Sequence, residues 1–139
     1  MILLLSLLCL SCIYIAIANA QYTLEKDFFA SDFFDSFDFF SGADPTHGFV
    51  EYNGRDDSLI SSSSSNAQMR VSTQQSTPNG RPSIRISSVD SYKTGLIILD
   101  LDHMPGGICG TWPAFWTVGE NWPIDGEIGM SQKDRKSVV

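Results

Sequence analysis

Beyond residue 20 this chain holds one cysteine, two histidines and no Asn-x-Ser/Thr sequon. Basic side chains are scarce: 9 Lys and Arg stand against 16 Asp and Glu, a net charge of −7 carried entirely after residue 20. That acidity excludes nucleic acid and anionic membrane as partners and suits a soluble protein acting on something neutral. No His, Cys, Asp or Glu cluster has metal-ligand spacing, so neither metal nor other cofactor is expected. No stretch shows the 3.6-residue period of an amphipathic helix, and no internal repeat appears. Short strand-like runs separated by turn signals imply an all-β sandwich instead. With 139 residues, one domain and a monomer are the natural expectation.

The first twenty residues, MILLLSLLCLSCIYIAIANA, have no charged side chain and end in Ala18-Asn19-Ala20. The run is nearly long enough to span a bilayer, but the small-x-small ending and the lack of flanking Lys or Arg fit a signal peptide cleaved before Gln21. The mature protein is then secreted and extracellular, with no membrane association after cleavage. Cys9 and Cys12 leave with the leader, and Cys109 remains. In an oxidising compartment such a cysteine is either buried and inert or has its mate outside this sequence.

Residues 27–40, DFFASDFFDSFDFF, hold seven of the nine Phe interleaved with aspartates. Their end, Ser36–Phe40, reads as a strand whose rings cover a core, with a helical turn upstream. Phe49–Tyr52 reads as a second strand. The five serines Ser61–Ser65 read as a flexible loop, with weak alternation over Gln68–Ser72 after them. Asn79-Gly80 favours a hairpin connection. Ser83–Ser87 alternates between Ile and polar residues, as a half-buried strand does. Leu96–Leu101, LIILDL, is the most apolar run after residue 20 and reads as a strand buried on both faces. Ala114–Val118 is one more short strand.

The densest stretch is His103–Ile128, HMPGGICGTWPAFWTVGENWPIDGEI, which contains all three tryptophans. Trp112, Trp116 and Trp122 offer flat apolar faces with a polar edge, suited to stacking on a sugar ring or another planar ligand. They would serve equally as core residues of a sandwich. Pro105, Gly106, Gly107, Pro113, Pro123 and Gly126 mark tight turns between strands. The run closes on Asp125-Gly126-Glu127-Ile128, where a carboxylate enters a strand-like segment.

This stretch resembles the central motif of the secreted fungal endo-β-1,3(4)-glucanases, the laminarinase-like branch of glycoside hydrolase family 16. The likeness extends upstream through DFFSGADPTHGFVEY (38–52) and RPSIRISSVDSYKTGLIILDLDHMP (81–105), and is weakest over residues 61–77. The resemblance implies a concanavalin-A-like jelly-roll β-sandwich with a β-glucan cleft on its concave face. It also implies cleavage with retention by two carboxyl groups about 5 Å apart. One strand can carry both, since alternate side chains share a face and a bulge adjusts the spacing. The family strand reads Glu-Ile-Asp-Ile-x-Glu, and on it Glu127 matches the nucleophile. The position of the tuning Asp is Gly129, and that of the acid/base Glu is Gln132, an amide that does not titrate near neutral pH. The expected substrate-binding residues are Trp112, Trp116 and Trp122 on glucose subsites, with Glu120 and Asp125 on sugar hydroxyls. Trp116, inside an apolar strand, is the tryptophan expected in the core. His47 and His103 are expected in structural hydrogen bonds.

Residues 129–139, GMSQKDRKSVV, change character, with no aromatic and no strand alternation. The expected organisation is a leader (1–20), the N-terminal part of a truncated family 16 domain (21–128) and an unrelated tail (129–139). Gly129-Met130-Ser131 is compatible with GGT-ATG-TCN, which contains the donor-splice sequence GTATGT, so the tail is expected to be read-through of a retained intron. The chain itself is then expected to be inactive, or to bind glucan without cleaving it.

Overall fold

The computed structural model describes residues 21–56 and 58–132, the last two by their backbone alone. The expected leader, Cys9, Cys12, Asp134 and the rest of the tail lie outside these residues. The architecture is all-β: one 3-10 turn, Phe33–Ser36, precedes strands β1 (Phe37–Phe39), β2 (Val50–Tyr52), β3 (Ile60–Ser62), β4 (Ala67–Met69), β5 (Arg81–Ser83), β6 (Ile86–Ser88), β7 (Ala114–Val118) and β8 (Glu127–Gln132). Among the described residues no helix is long and apolar enough to cross a membrane.

The strands form four two-stranded ladders. β1 runs antiparallel to β6, with Phe37 opposite Ser88 and Phe39 opposite Ile86. β2 runs parallel to β5, β3 and β4 form an antiparallel hairpin, and β7 lies antiparallel to β8.

The Phe–Asp run folds as its pattern suggests. The amide of Asp35 bonds the carbonyl of Asp32 at 3.0 Å, closing a turn that drives Phe34 inward to 4% exposure while the aspartates face water. Phe33 and Phe37 pack with ring centroids 4.8 Å apart, and Phe28 closes the group at 5.2 Å from Phe37. Such tilted and edge contacts add to the burial energy of the rings. Leu59 and Ile60 are the other well-buried apolar residues described. The Ser62 hydroxyl reaches back to the Ser31 carbonyl at 3.2 Å, tying the β3–β4 hairpin to the Phe-rich run.

Five expectations are corrected. The serine tract is no flexible loop: Ser61 and Ser62 lie in β3, and the Ser63 side chain organises the turn by accepting from the amides of Ser65 and Asn66 at 3.3 and 3.2 Å. Asn79-Gly80 does form a turn, with Gly80 N–H on the Thr77 carbonyl at 3.1 Å, but the strand after it pairs in parallel with β2, so no hairpin results. The alternating run Ser83–Ser87 is not one strand. It divides at Ile84-Arg85, leaving β5 on β2 and β6 on β1, because the chain crosses from one ladder to the next. Leu96–Leu101 is no strand at all: it finds no ladder partner, and Leu96, Ile98 and Leu101 are 60%, 80% and 49% exposed. A strand apolar on both faces needs a layer on each, and none of the described residues supplies one. The change of character after Ile128 also fails to end the strand, since β8 continues through Gly129 to Gln132.

Gly80 shows how tightly one crossing is made. Its φ is +110°, and a Cβ there would lie 2.6 Å from the Val50 carbonyl carbon. Only glycine lets β5 enter beside the start of β2. Gly80→Ala is therefore expected to destabilise the chain by roughly 1–3 kcal/mol from backbone strain alone, with the clash adding to it. Urea unfolding monitored by far-ultraviolet circular dichroism measures this, and an unchanged midpoint would refute the assignment.

Candidate active site

The site is built on β7, β8 and the eight residues between them. The connection closes on itself: Gly119 N–H bonds the Gly126 carbonyl at 3.0 Å, and Gly126 N–H bonds the Pro123 carbonyl at 3.1 Å. The Asp125 carboxylate accepts from both the backbone and the side-chain amide of Asn121, at 3.0 and 3.2 Å. Gly119 packs so closely on Asp125 that a Cβ would overlap that side chain. Aspartate here acts as the local clamp that such side chains provide in turns. Asp125, expected on sugar hydroxyls, has its Oδ2 engaged within the loop.

Loop closure brings Trp122 onto Glu127. The indole N–H donates to Glu127 Oε2 at 3.0 Å, although both residues remain open to solvent. A tryptophan can thus present its face to a ligand while its edge orients a carboxylate.

The β7–β8 register arranges the rest. Val118 stands opposite Glu127, Trp116 opposite Gly129 and Ala114 opposite Gln132. Ala114, Trp116 and Val118 alternate along β7, so they share a face, and their partners on β8 share it with them. Residues 127 and 132 are five apart and would fall on opposite faces of a regular strand. The register shifts between Phe115, opposite Ser131, and Trp116, opposite Gly129, leaving Met130 as an extra residue. That bulge changes the parity and brings positions 127 and 132 to one face. Trp116 occupies the same face, half-buried, under the guanidinium of Arg85 at 5.4 Å from the ring centroid.

Trp112 is 66% exposed in the segment before β7, and Glu120 is exposed in the loop. Among the described residues no hydrogen bond joins either of them to Glu127. Cys109 is exposed, which removes the buried reading of that thiol. No group of three or more His, Cys, Asp or Glu among the described residues is arranged to hold a metal ion. An open depression of 560 Å³ bordered by Glu25, Lys26, Val89, Asp90, Ser91 and Tyr92 includes none of the residues on β7 or β8.

One cluster was missed by the sequence reading. Arg85 lies with its guanidinium 5.1 Å from the Phe40 ring as well as over Trp116, and Nη1 is 4.0 Å from Asp44 Oδ1. Asp44 is held by its own loop: it accepts the Thr46 hydroxyl at 2.7 Å and the Gly48 amide at 2.8 Å, and His47 between them adopts φ 61°. The Thr46 hydroxyl above all, with the backbone amides of Gly48 and Thr46 and the charge of Arg85, holds the Asp44 carboxyl below its ordinary value against the opposing effect of burial. Burial first, and then the negative charge of Asp44, push the Tyr52 hydroxyl up. The single cation inside the Ile84-Arg85-Ile86 alternation was the available signal, but alternation alone suggested that it faced solvent.

Comparison with known proteins bears on this geometry. The XgeA-like catalytic domain of glycoside hydrolase family 16 matches residues 37–134. The chain belongs to glycoside hydrolase family 16. It is 51% identical over 113 residues to a probable glycosidase of Schizosaccharomyces pombe, covering 78% of this chain and 27% of that protein. A probable endo-1,3(4)-β-glucanase of Aspergillus niger is 40% identical over 144 residues, covering 95% of this chain and 20% of the relative. A solved elongating family 16 β-1,3-glucosyltransferase superimposes with a TM-score of 0.75 at 44% identity, over 81% of this chain and 41% of that one. The fold is therefore the family's all-β jelly roll. The chain spans roughly a quarter or less of the length of these curated relatives.

The electrostatics of Asp44 carry a prediction. Its folded pKa lies below the ordinary 3.8, so the ionised carboxylate stabilises the fold fully above that value. The contribution is lost as pH falls from 3.8 through the folded value. Asp44→Asn is expected to lower stability at pH 6 and to flatten its decline below pH 3.8. Thermal unfolding across that window measures the slope, and an acid limb as steep as in the parent would refute the linkage.

Proposed function

We propose that this domain belongs to a secreted enzyme that acts on β-1,3(4)-glucan with retention, Glu127 taking the nucleophile's position. The observation that carries the reading is the bulge at Met130, which brings positions 127 and 132 to one face of β8 beside Trp116. Relatives named endo-1,3(4)-β-glucanase support the substrate class. Trp112, Trp116 and Trp122 supply stacking faces for glucose rings, and the hydrogen bond from Trp122 aims the Glu127 carboxylate. Secretion rests on the leader-like composition of residues 1–20.

Retaining cleavage has two steps. A carboxylate at 127 attacks the anomeric carbon while the glycosidic oxygen leaves and takes a proton from the acid group. Water then attacks the glycosyl ester as the same group, now a base, removes its proton. Gln132 can perform neither proton transfer, and Gly129 leaves no carboxylate beside Glu127. These two residues favour a second reading, in which the chain binds glucan without hydrolysing it.

The two readings separate on a substrate that needs no acid. A 2,4-dinitrophenyl β-laminaribioside carries a leaving group that departs unprotonated, and azide attacks the glycosyl ester without a base. If Glu127 is a competent nucleophile, the chain releases dinitrophenolate in azide and forms the β-configured glycosyl azide, and Glu127→Gln abolishes both. Laminarin binding with no azide product establishes the second reading, and absence of binding as well defeats both. Trp122→Phe retains the aromatic face but loses the N–H donor. It is expected to slow azide transfer about tenfold, as loss of one charge-assisted hydrogen bond does, with little change in KM.

A further inference from the structure

We propose that Asp44 is a positioning residue for glycan binding: through Arg85 it fixes the indole of Trp116 on the face that carries Glu127. The inference rests on the glucan reading above for the ligand, but its geometry is independent of it. The Arg85 guanidinium lies over two rings, 5.1 Å from the centroid of Phe40 and 5.4 Å from that of Trp116. Cation–π attraction at these distances holds the guanidinium near the rings but does not fix its orientation. Groups at its edge set those freedoms. Asp44 is 4.0 Å from Nη1, and the Tyr52 hydroxyl is also reached by Arg85.

Asp44 is itself fixed by partners other than Arg85. Thr46 Oγ1 and Gly48 N converge on Oδ2 at 2.7 and 2.8 Å, and Thr46 N approaches Oδ1 at 3.4 Å. The Asp44 side chain keeps 9% of its exposure and that of Arg85 23%. Desolvation offsets much of the attraction between Arg85 and Asp44, so at 4.0 Å their contact adds little stability beyond the hydrogen bonds that fix Asp44. What such a pair provides is orientation. The side chain it orients, Trp116, stands opposite Gly129, two residues from Glu127 on β8.

The test uses the chain with Trp112→Phe and Trp122→Phe, so that Trp116 is the sole emitter, and laminarihexaose as the probe. Asp44→Asn is expected to shift Trp116 emission before any glycan is added and to weaken laminarihexaose binding about tenfold, with the far-ultraviolet spectrum retained. Thr46→Val, which removes one donor from Asp44 but keeps its charge, is expected to move both quantities in the same direction by less, and it serves as the reading if Asp44→Asn does not fold. In the Trp116→Ala chain, Asp44→Asn is expected to cause no further loss of affinity, the non-additivity that marks action through a shared group. Unchanged emission and affinity in a folded Asp44 or Thr46 variant would overturn the proposal, as would additive losses in the double variant. If Trp116→Ala binds laminarihexaose normally, the glycan role of that ring fails, and the emission of the Asp44 variant still decides whether Asp44 positions it.

Discussion

Arg85 holds this arrangement together. Two-stranded ladders are marginal in isolation, and the described residues form four of them. Arg85 sits in the crossing between β5 and β6, and its carbonyl accepts the amide of Phe40 at 3.0 Å, directly after β1. Its guanidinium lies over Phe40 and over Trp116 of β7, and it reaches Tyr52 of β2. One residue thereby contacts the β1–β6, β2–β5 and β7–β8 ladders. The Phe40 and Tyr52 rings meet edge to face at 5.4 Å in the same place, so the cation lies within an aromatic corner. The Phe-rich run and the β3–β4 hairpin form a separate apolar centre around Phe34, Leu59 and Ile60. The site strands are thus tied to the rest of the fold by a polar–aromatic joint.

That division explains where the fold was legible in the sequence. β1, β2 and β7 followed from short apolar or aromatic runs between turn residues, whose local preference and tertiary role agree. Arg85 was not legible, because an Ile-Arg-Ile alternation normally puts the arginine in water and only the ladder change at Ile84-Arg85 turns it inward. The serine tract was misread for a related reason. Composition suggested mobility, whereas hydroxyls that bond the turn's own amides can build a hairpin as well as loosen one. Leu96–Leu101 was read from composition as a doubly covered strand. Its exposure shows that apolarity specifies a need for burial, while the burial itself depends on other layers.

The site was legible in part. The density of tryptophan, proline and glycine over His103–Ile128 and its resemblance to the family 16 motif marked the segment, but the roles of Trp122, Asp125 and Glu127 depend on loop closure that no periodicity encodes. Asp125 closes the loop on Asn121, and Trp122 then meets Glu127. Asp125, expected on sugar hydroxyls, also supports the shape of the site, and Trp122, expected to stack on ligand, also orients the carboxylate.

The bulge at Met130 separates the geometry of the site from its chemistry. Backbone pairing sets which positions of β8 share a face, and that pairing is intact: Val118 faces Glu127 and Ala114 faces Gln132. A glycine at 129 and an amide at 132 do not disturb the register, because both fit an antiparallel ladder. They act on protons and charge instead. In the proposed reading Gln132 stands where a group must give and recover a proton, and Gly129 stands where a carboxylate would lie beside Glu127. Two-carboxylate catalysis needs both the shared face and the titratable pair. β8 supplies the shared face, and in the proposed reading Glu127 is one member of the pair while Gln132 stands at the position of the other.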